Sequence, residues 1–321
     1  MIGLGEIKAA RGNIADFVHR TPLFSSQSLS KLTGQQIWLK AECLQKTGSF
    51  KPRGATNKIK TLVGQKTGGV ITISSGNHGQ ATAYVAERLG IPAVIMVADG
   101  TPQAKIDAAR GYGAEVIIGG SMNNIEPLIE KAYALAGERN LVPIHPFDDP
   151  LIVAGQGTIG LEILEDLPDV DIVTVPVGGG GLLGGVAIAL KQSQPHIRVF
   201  GIGPVNASSM FTSYHEKKPV TLHDMPDTAA DGIRTPIISE LTLELALKYV
   251  DDIITVTDEE LIEAMQLIWS RSKLVVEPSG ASSFAAVNSK KIPKAANAKI
   301  ACILSGGNVD LKKAAKYLYC K

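Results

Sequence analysis

The chain has 321 residues, with 45% hydrophobic and 20% charged side chains, a balance that supports a packed core and excludes a disordered chain. That length leads us to expect two domains or one large α/β unit. Lys and Arg number 32 against 31 Asp and Glu; the formal charge of +1 removes any electrostatic draw toward nucleic acid, and 5% aromatic residues leave few platforms for stacked bases.

The three cysteines, Cys43, Cys302 and Cys320, are odd in number and lack metal-ligand spacing. They suggest neither a disulfide framework nor a zinc site, and point to a reducing cytoplasm. No run of about 18 apolar residues is present to span a membrane.

Residues 1–20, MIGLGEIKAARGNIADFVHR, read as an amphipathic helix rather than a targeting leader. An apolar strand is expected at 37–39. KTGSFKPRGA, 46–55, then places three cations within eight positions, with Lys51 between Phe50 and Pro52. A solvated cation at a helix start and a reactive amine are both compatible with that setting. A strand at 70–73 runs into SSGNHGQ, where Ser74, Ser75, Gly76, Asn77, His78 and Gly79 precede a helix at 80–89. Hydroxyls, an amide and free backbone in six positions suit an anion such as a substrate carboxylate, and equally a capped helix start. Strands at 93–97 and 115–118 follow. HPFDDP, 145–150, breaks the alternation with two prolines and an acid pair, which marks a domain crossing. Next come a strand at 172–177, four glycines at 178–181, a helix at 182–191, and strands at 199–202, 253–256 and 300–304. The last of these leads into Gly306 and Gly307. Strands alternating with helices imply a mostly parallel sheet, on which ligands bind beyond the carboxyl ends of the strands, where the glycine clusters fall.

Gly178, Gly179, Gly180 and Gly181 offer several amide donors with no Cβ in the way, at the positive end of a helix dipole, which suits a phosphate. A plain tight turn is the bland alternative. Gly179, Gly181 and Gly184 also satisfy GxGxxG, but a dinucleotide site needs an acid after the next strand, and here Gly203 and Pro204 stand there. Phosphate anchor, carboxylate cradle and lysine together are the parts that pyridoxal phosphate chemistry requires.

SFKPRGA, SSGNHGQ, GQGTIGLEIL, PVGGGGLLGG and ILSGGNVD, in that order across nearly the whole chain, resemble the threonine dehydratase and serine racemase family of fold type II pyridoxal-phosphate enzymes. The resemblance implies the tryptophan synthase β-like α/β fold, two domains with twisted, mostly parallel sheets. Residues 1–68 and 148–321 would form the large cofactor-binding domain and 69–147 a small, mobile inserted one. It implies that Lys51 is the Schiff-base lysine and the base that takes the Cα proton, that Phe50 packs beside the ring, and that Asn77 bonds its phenolic oxygen. Gly178, Gly179, Gly180 and Gly181, with Leu182, would bind the 5′-phosphate through backbone amides, and Ser305 would face the pyridine nitrogen. Ser74, Ser75, Gly76, Asn77, His78 and Gly79 would hold the substrate carboxylate. Ser75 also matches the serine that, in family racemases, stands on the ring face opposite the lysine. Gly232 and Glu277 match positions lining the ring side, although an acid at the entry to a helix beginning with Pro278 explains Glu277 as well.

The activity implied is loss of water from a small hydroxy amino acid, L-threonine or L-serine, giving a 2-oxo acid and ammonia. Serine racemisation is the nearest rival. Dehydration of 3-hydroxyaspartate, phenylserine or a hydroxyectoine-derived amino acid stays open, and a nicotinamide oxidoreductase and a non-catalytic binding protein are the readings from other classes. A homodimer is expected, acting on a small amino acid, with neither nucleic acid nor membrane as partner. Where many members carry a Glu, and six positions later an Asp, for a divalent cation, this chain has Gly203 and Ser209. Hard cations need anionic oxygen, so no metal site is expected. The chain ends at Lys321, soon after the last motif, so the C-terminal regulatory domain of biosynthetic threonine dehydratases is not expected.

Overall fold

Short runs of apolar, largely β-branched residues become the strands of two sheets, and Ala- and Leu-rich segments between them become helices. The computed structural model describes residues 2–121, 126–205, 207–223, 227–293 and 297–319. Cys320 lies outside them, while Cys43 and Cys302 are buried free thiols. In chain order the strands are β1 (Leu23–Ser25), β2 (Gln36–Lys40), β3 (Gly69–Ile73), β4 (Ala93–Val97), β5 (Glu115–Ile118), β6 (Leu141–Pro143), β7 (Ile172–Pro176), β8 (Arg198–Pro204), β9 (Asp252–Val256) and β10 (Lys299–Ile303).

One sheet has the order β1-β2-β10-β7-β8-β9, the other β5-β4-β3-β6. Every pairing is parallel except β1 with β2, an antiparallel edge pair. The chain is therefore α/β with mostly parallel sheets. Eight strands fall within a residue or two of the expected positions. The unexpected β1 and β6 are three residues each, too short for alternation to show.

The pleat of the larger sheet separates two apolar layers. Ile172, Ile300 and Cys302 face the helices Asp258–Leu267 and Pro278–Asn288, while Val173, Val175, Ala301 and Ile303 face the helices Pro150–Asp166 and Gly181–Ser193. In the smaller sheet Val70 and Ile95 pack on the helix Asn77–Leu89, and Ile71, Val94 and Met96 on the helix Glu126–Arg139. Local signals set the helix ends: Asp149 accepts from the amides of Leu151 and Ile152 ahead of Pro150, and Thr257 and Glu260 form a reciprocal capping box.

The helix Lys51–Ile59 positions the site, and two features fix it. A Cβ at Gly155 would lie 2.6 Å from the Arg53 carbonyl oxygen and the Gly54 Cα, so glycine lets this helix and Pro150–Asp166 touch backbone to backbone. Below that contact Arg53, fully buried, clasps Glu42 (2.8 and 2.8 Å) and Glu162 (2.6 and 2.9 Å) with its guanidinium. Lys40, also fully buried, reaches Glu162 at 2.5 Å and the Thr21 carbonyl oxygen at 2.6 Å, and the Thr21 hydroxyl donates to Glu42. Burial alone would push the Glu162 carboxyl up, but the Arg53 charge and hydrogen bonds, with Lys40, hold it below the usual range. Two cations and two carboxylates thus neutralise one another inside the protein, and only this pairing makes their burial tolerable.

Candidate active site

The turns after β3, β7 and β10 and the start of the helix Lys51–Ile59 come together: Asn308 meets Asn77, Phe147 meets Gly179, and Lys51 reaches Pro146. The segment ahead of Lys51 is tied to the turn after β10: Phe50 N–H donates to the Ser305 carbonyl oxygen (3.1 Å), Gly307 N–H to the Gly48 carbonyl oxygen (2.9 Å), and Ser49 bridges to Gly306. Glu277 N–H donates to the Gly306 carbonyl oxygen (3.1 Å). Lys51, Ser305 and Glu277 are therefore held on one framework of main-chain bonds.

Lys51 sends Nζ to the Pro146 carbonyl oxygen at 3.0 Å, and its amine lies 5.1 Å from the centre of the Phe50 ring. No carboxylate pairs with it among the described residues. Burial pushes its pKa down to about 8, which leaves a far larger neutral fraction near pH 7 than an ordinary lysine has.

Four glycines line one wall. Gly180 has φ +91, a left-handed conformation that strains any side chain, and it starts the helix Gly181–Ser193 without a side-chain cap. A Cβ at Gly178 would meet Thr235 Oγ1 at 2.7 Å, and one at Gly179 the Phe147 ring at 2.2 Å. Leu182, buried, follows in the first turn. The uncapped amides with the helix dipole make a seat for an anion.

The second helix start tells a similar story. The helix begins at Asn77, earlier than the apolar pattern shows, with Gly76 at the cap position and no capping side chain. Ser74 Oγ accepts from Gly76 N–H (3.2 Å), while the Ser75 hydroxyl finds no partner among the described residues. Gly79 packs against the end of β3, its missing Cβ position 2.4 Å from the Ser74 carbonyl oxygen. His78 is turned away from the cradle: the buried ring places Nε2 3.0 Å from the Ile144 carbonyl oxygen, and burial, then the Lys51 charge, pushes its pKa down to about 3. A neutral imidazole held in this way can offer an anion only its backbone amide.

Glu277 occupies the cap position of the helix Pro278–Asn288 without capping it; Oε1 instead accepts from Asn77 Nδ2 at 2.8 Å. Burial, then Asp231, pushes the Glu277 carboxyl up to about 7. Gly232 lies beside it, its N–H donating to Ser279 Oγ at 3.0 Å. Asp231 also meets Lys105 of the helix Gln103–Gly111 at 3.3 Å. The Ser305 hydroxyl, in a buried residue, has no partner among the described residues.

Two groups at the site escaped sequence reasoning. HPFDDP reads as punctuation, yet Pro146 supplies the acceptor for Lys51, Phe147 fills the space over Gly179, and His145 stacks edge-on against Phe147 at 4.7 Å. His145 Nδ1 accepts from the amides of Phe147 (3.3 Å) and Asp148 (2.7 Å), and its pKa is lowered, first by burial. Asn308 donates to Asn77 Oδ1 at 2.8 Å. The signal for these was adjacency to a glycine turn or a lysine-bearing loop, which has meaning only once the strands are aligned.

A desolvated amine, an uncapped glycine cradle and an unpaired hydroxyl at the far side fit pyridoxal phosphate. Residues 14–306 match the family described as pyridoxal-phosphate dependent enzyme. The chain is 44% identical over 312 residues to an L-threonine ammonia-lyase of Thermotoga maritima, covering 97% of this chain and 77% of that one. It is 43% identical over 317 residues to a catabolic L-threonine dehydratase of Staphylococcus aureus, covering 98% and 91%. Its structure is similar to that of maize serine racemase, with a TM-score of 0.92 at 38% identity, covering 99% of this chain and 97% of that one. With family match, relatives and site geometry in agreement, the chain belongs to the pyridoxal-phosphate dependent enzymes.

Proposed function

We propose that this enzyme is an ammonia-lyase that removes water from L-threonine or L-serine, giving a 2-oxo acid and ammonia. The observation that carries the reading is Lys51, a desolvated amine held at the Pro146 carbonyl oxygen on a segment whose Phe50 N–H is bonded to the Ser305 carbonyl oxygen. The threonine-directed names of relatives 43–44% identical to the chain support the substrate class.

Pyridoxal phosphate, when bound, supplies an electron sink for the pair released as the substrate Cα–H bond breaks. The amides of Gly178, Gly179, Gly180 and Gly181 with Leu182 would hold its phosphate, Phe50 would pack beside its ring with Gly232 and Glu277 along the edge, and Asn77 would bond its phenolic oxygen. Lys51, poised near neutrality, removes the Cα proton. Ser74, Ser75, Gly76, Asn77, His78 and Gly79 orient the substrate carboxylate, mainly through helix-start amides. Unlike a carboxylate, the Ser305 hydroxyl cannot hold a facing pyridine nitrogen protonated, which favours prompt departure of a β-hydroxyl over transamination. Residues 69–147 form the mobile domain, opposed to a larger one of 1–68 and 148–321, and closure onto the carboxylate would exclude water. Identical free and substrate-analogue-bound structures would count against that motion.

No cation is assigned a place. A Cβ at Gly203 would lie 2.4 Å from Ser208 Oγ, and Ser209 Oγ donates to the Thr235 carbonyl oxygen at 2.7 Å, so local hydroxyls occupy the region. The reading extends to a cytoplasmic homodimer; the buried free thiols of Cys43 and Cys302, both pushed up to about 12 by burial, suit a reducing compartment. Sedimentation checks the dimer.

The test is oxo-acid release from L-threonine and L-serine, with chiral analysis of the remaining serine. Rapid oxo-acid formation with little D-serine is expected. D-serine without oxo acid would replace the reading with racemisation, for which the unpaired Ser75 hydroxyl is available.

A further inference from the structure

Three elements that are far apart in sequence meet at one amide. Asn77 opens the helix behind β3, Asn308 follows the glycine turn after β10, and Glu277 precedes the helix Pro278–Asn288. Asn308 Nδ2 lies 2.7 Å from the Thr47 carbonyl oxygen and 2.8 Å from the side chain of Asn77. A backbone carbonyl only accepts, so Thr47 decides which end of the Asn308 amide carries the hydrogens. Asn308 then donates one N–H to Thr47 and the other to Asn77, and the Asn77 atom facing it must be oxygen. That turns the Asn77 nitrogen toward Glu277 Oε1, at 2.8 Å. One hydrogen of this nitrogen is engaged there and the second is spare.

The packing leaves Asn308 little freedom. Gly48 sits at φ +72, and a Cβ on it would come within 2.5 Å of Asn308 Oδ1. Glu277 is buried, and Gly306 passes so close that a Cβ there would lie 2.8 Å from Glu277 Oε1 and 3.1 Å from Asn77 Nδ2. The chain of donors therefore runs one way, from Asn308 through Asn77 to Glu277, and its direction originates in a main-chain carbonyl four residues before Lys51.

We propose that Asn308 and Glu277 are positioning residues that act through Asn77, setting its amide so that the spare N–H, not the oxygen, is presented to the phenolic oxygen of bound pyridoxal phosphate. This rests on the reading of Asn77 given above. Unpinned, the amide can turn over and set acceptor against acceptor, which loses a hydrogen bond and adds repulsion. Because Asn77 opens a helix packed on the smaller sheet while Glu277 and Asn308 flank elements of the larger one, the same chain of bonds also ties the two sheets' surroundings together.

The experiment is a double-mutant cycle read by cofactor affinity, from fluorescence titration of the cofactor-free protein with pyridoxal phosphate, and by the visible absorption band of the bound cofactor. Asn308→Ala is expected to weaken affinity by about tenfold, the order of one hydrogen bond to a polar ligand atom, and to shift the band. In an Asn77→Ala background the same substitution should change neither. An equal loss in both backgrounds would overturn the coupling, whereas an Asn77→Ala protein that binds and absorbs as the wild type does would overturn the assignment of Asn77 instead. Glu277→Ala, taken through the same cycle, reaches Asn77 from the other side and keeps the test decisive if Asn308→Ala does not fold. In the Asn77→Ala background its effect should shrink to what its place along the ring edge contributes by itself, and a fully additive effect would overturn the proposal.

Discussion

Replacing Arg53 by Met would keep much of the side-chain volume and remove four charge-assisted hydrogen bonds of 2.6–2.9 Å. Glu42 and Glu162 would then share Lys40 alone, leaving one negative charge unpaired among fully buried groups. Breaking a buried pair from one side costs about 3–5 kcal/mol, because the partner left behind is uncompensated. At roughly 2 °C per kcal/mol for a chain of this size, the melting temperature should fall by about 6–10 °C. Adding Glu42→Gln to Arg53→Met restores neutrality, so the double variant should recover at least half of the loss although it departs further from the native sequence. Acidity gives a second reading. Glu162, held below its ordinary range, stabilises the fold above that range, and the contribution fades as pH falls through its depressed folded value. Arg53→Met has lost this contribution already, so its deficit should narrow with acidification. Thermal melts followed by circular dichroism at several pH values measure all of this. A double variant less stable than Arg53→Met would refute the electrostatic argument and leave packing as the role of Arg53.

The rate at which cofactor-free protein recombines with pyridoxal phosphate should rise with pH and level off above about 8, as the Lys51 amine becomes neutral; a rate still climbing toward the ordinary lysine range would mark a solvated amine. Gly179→Ala pushes a methyl group against the Phe147 ring, since the Cβ position lies 2.2 Å from it, and should weaken cofactor binding by about tenfold or more, within the 1–3 kcal/mol typical of overpacking. Phe147→Leu in the same chain should return part of that affinity, as titration would show. Chelator treatment and added magnesium should both leave oxo-acid release unchanged; activation by magnesium would show a cation site that Gly203 and Ser209 cannot by themselves provide.

The strands were legible because apolar, β-branched runs such as Ile172–Pro176 have no other economical use in an α/β chain, and the glycine turns because each follows such a run. Helix starts were read less well. Asn77 and His78 belong to a helix whose apolar rhythm begins later, so the segment reads equally as an anion cradle or a cap ahead of the helix, and the direction taken by the His78 ring depends on the Ile144 carbonyl, 66 residues away. Lys40, Glu42 and Glu162 give no signal in the sequence, and Arg53 shows there only as one of three nearby cations, because charge alone does not reveal a partner 122 residues distant. The prolines of 145–150 do interrupt the alternation, but punctuation says nothing of the carbonyl and the ring that the interruption delivers to Lys51 and Gly179. Glu277 admitted two readings from sequence; it stands at a helix entrance without capping it, its side chain accepting from Asn77 instead.

The meeting of Phe147 with Gly179 has a consequence for how such a site can change over generations. A side chain at Gly179 is possible only if Phe147 gives way, so change at the first position waits on change at the second. An ancestor acquiring a side chain in place of Gly179 would have had to shed the aromatic ring at nearly the same time. The space allowed at one position is thus written at the other, 32 residues away.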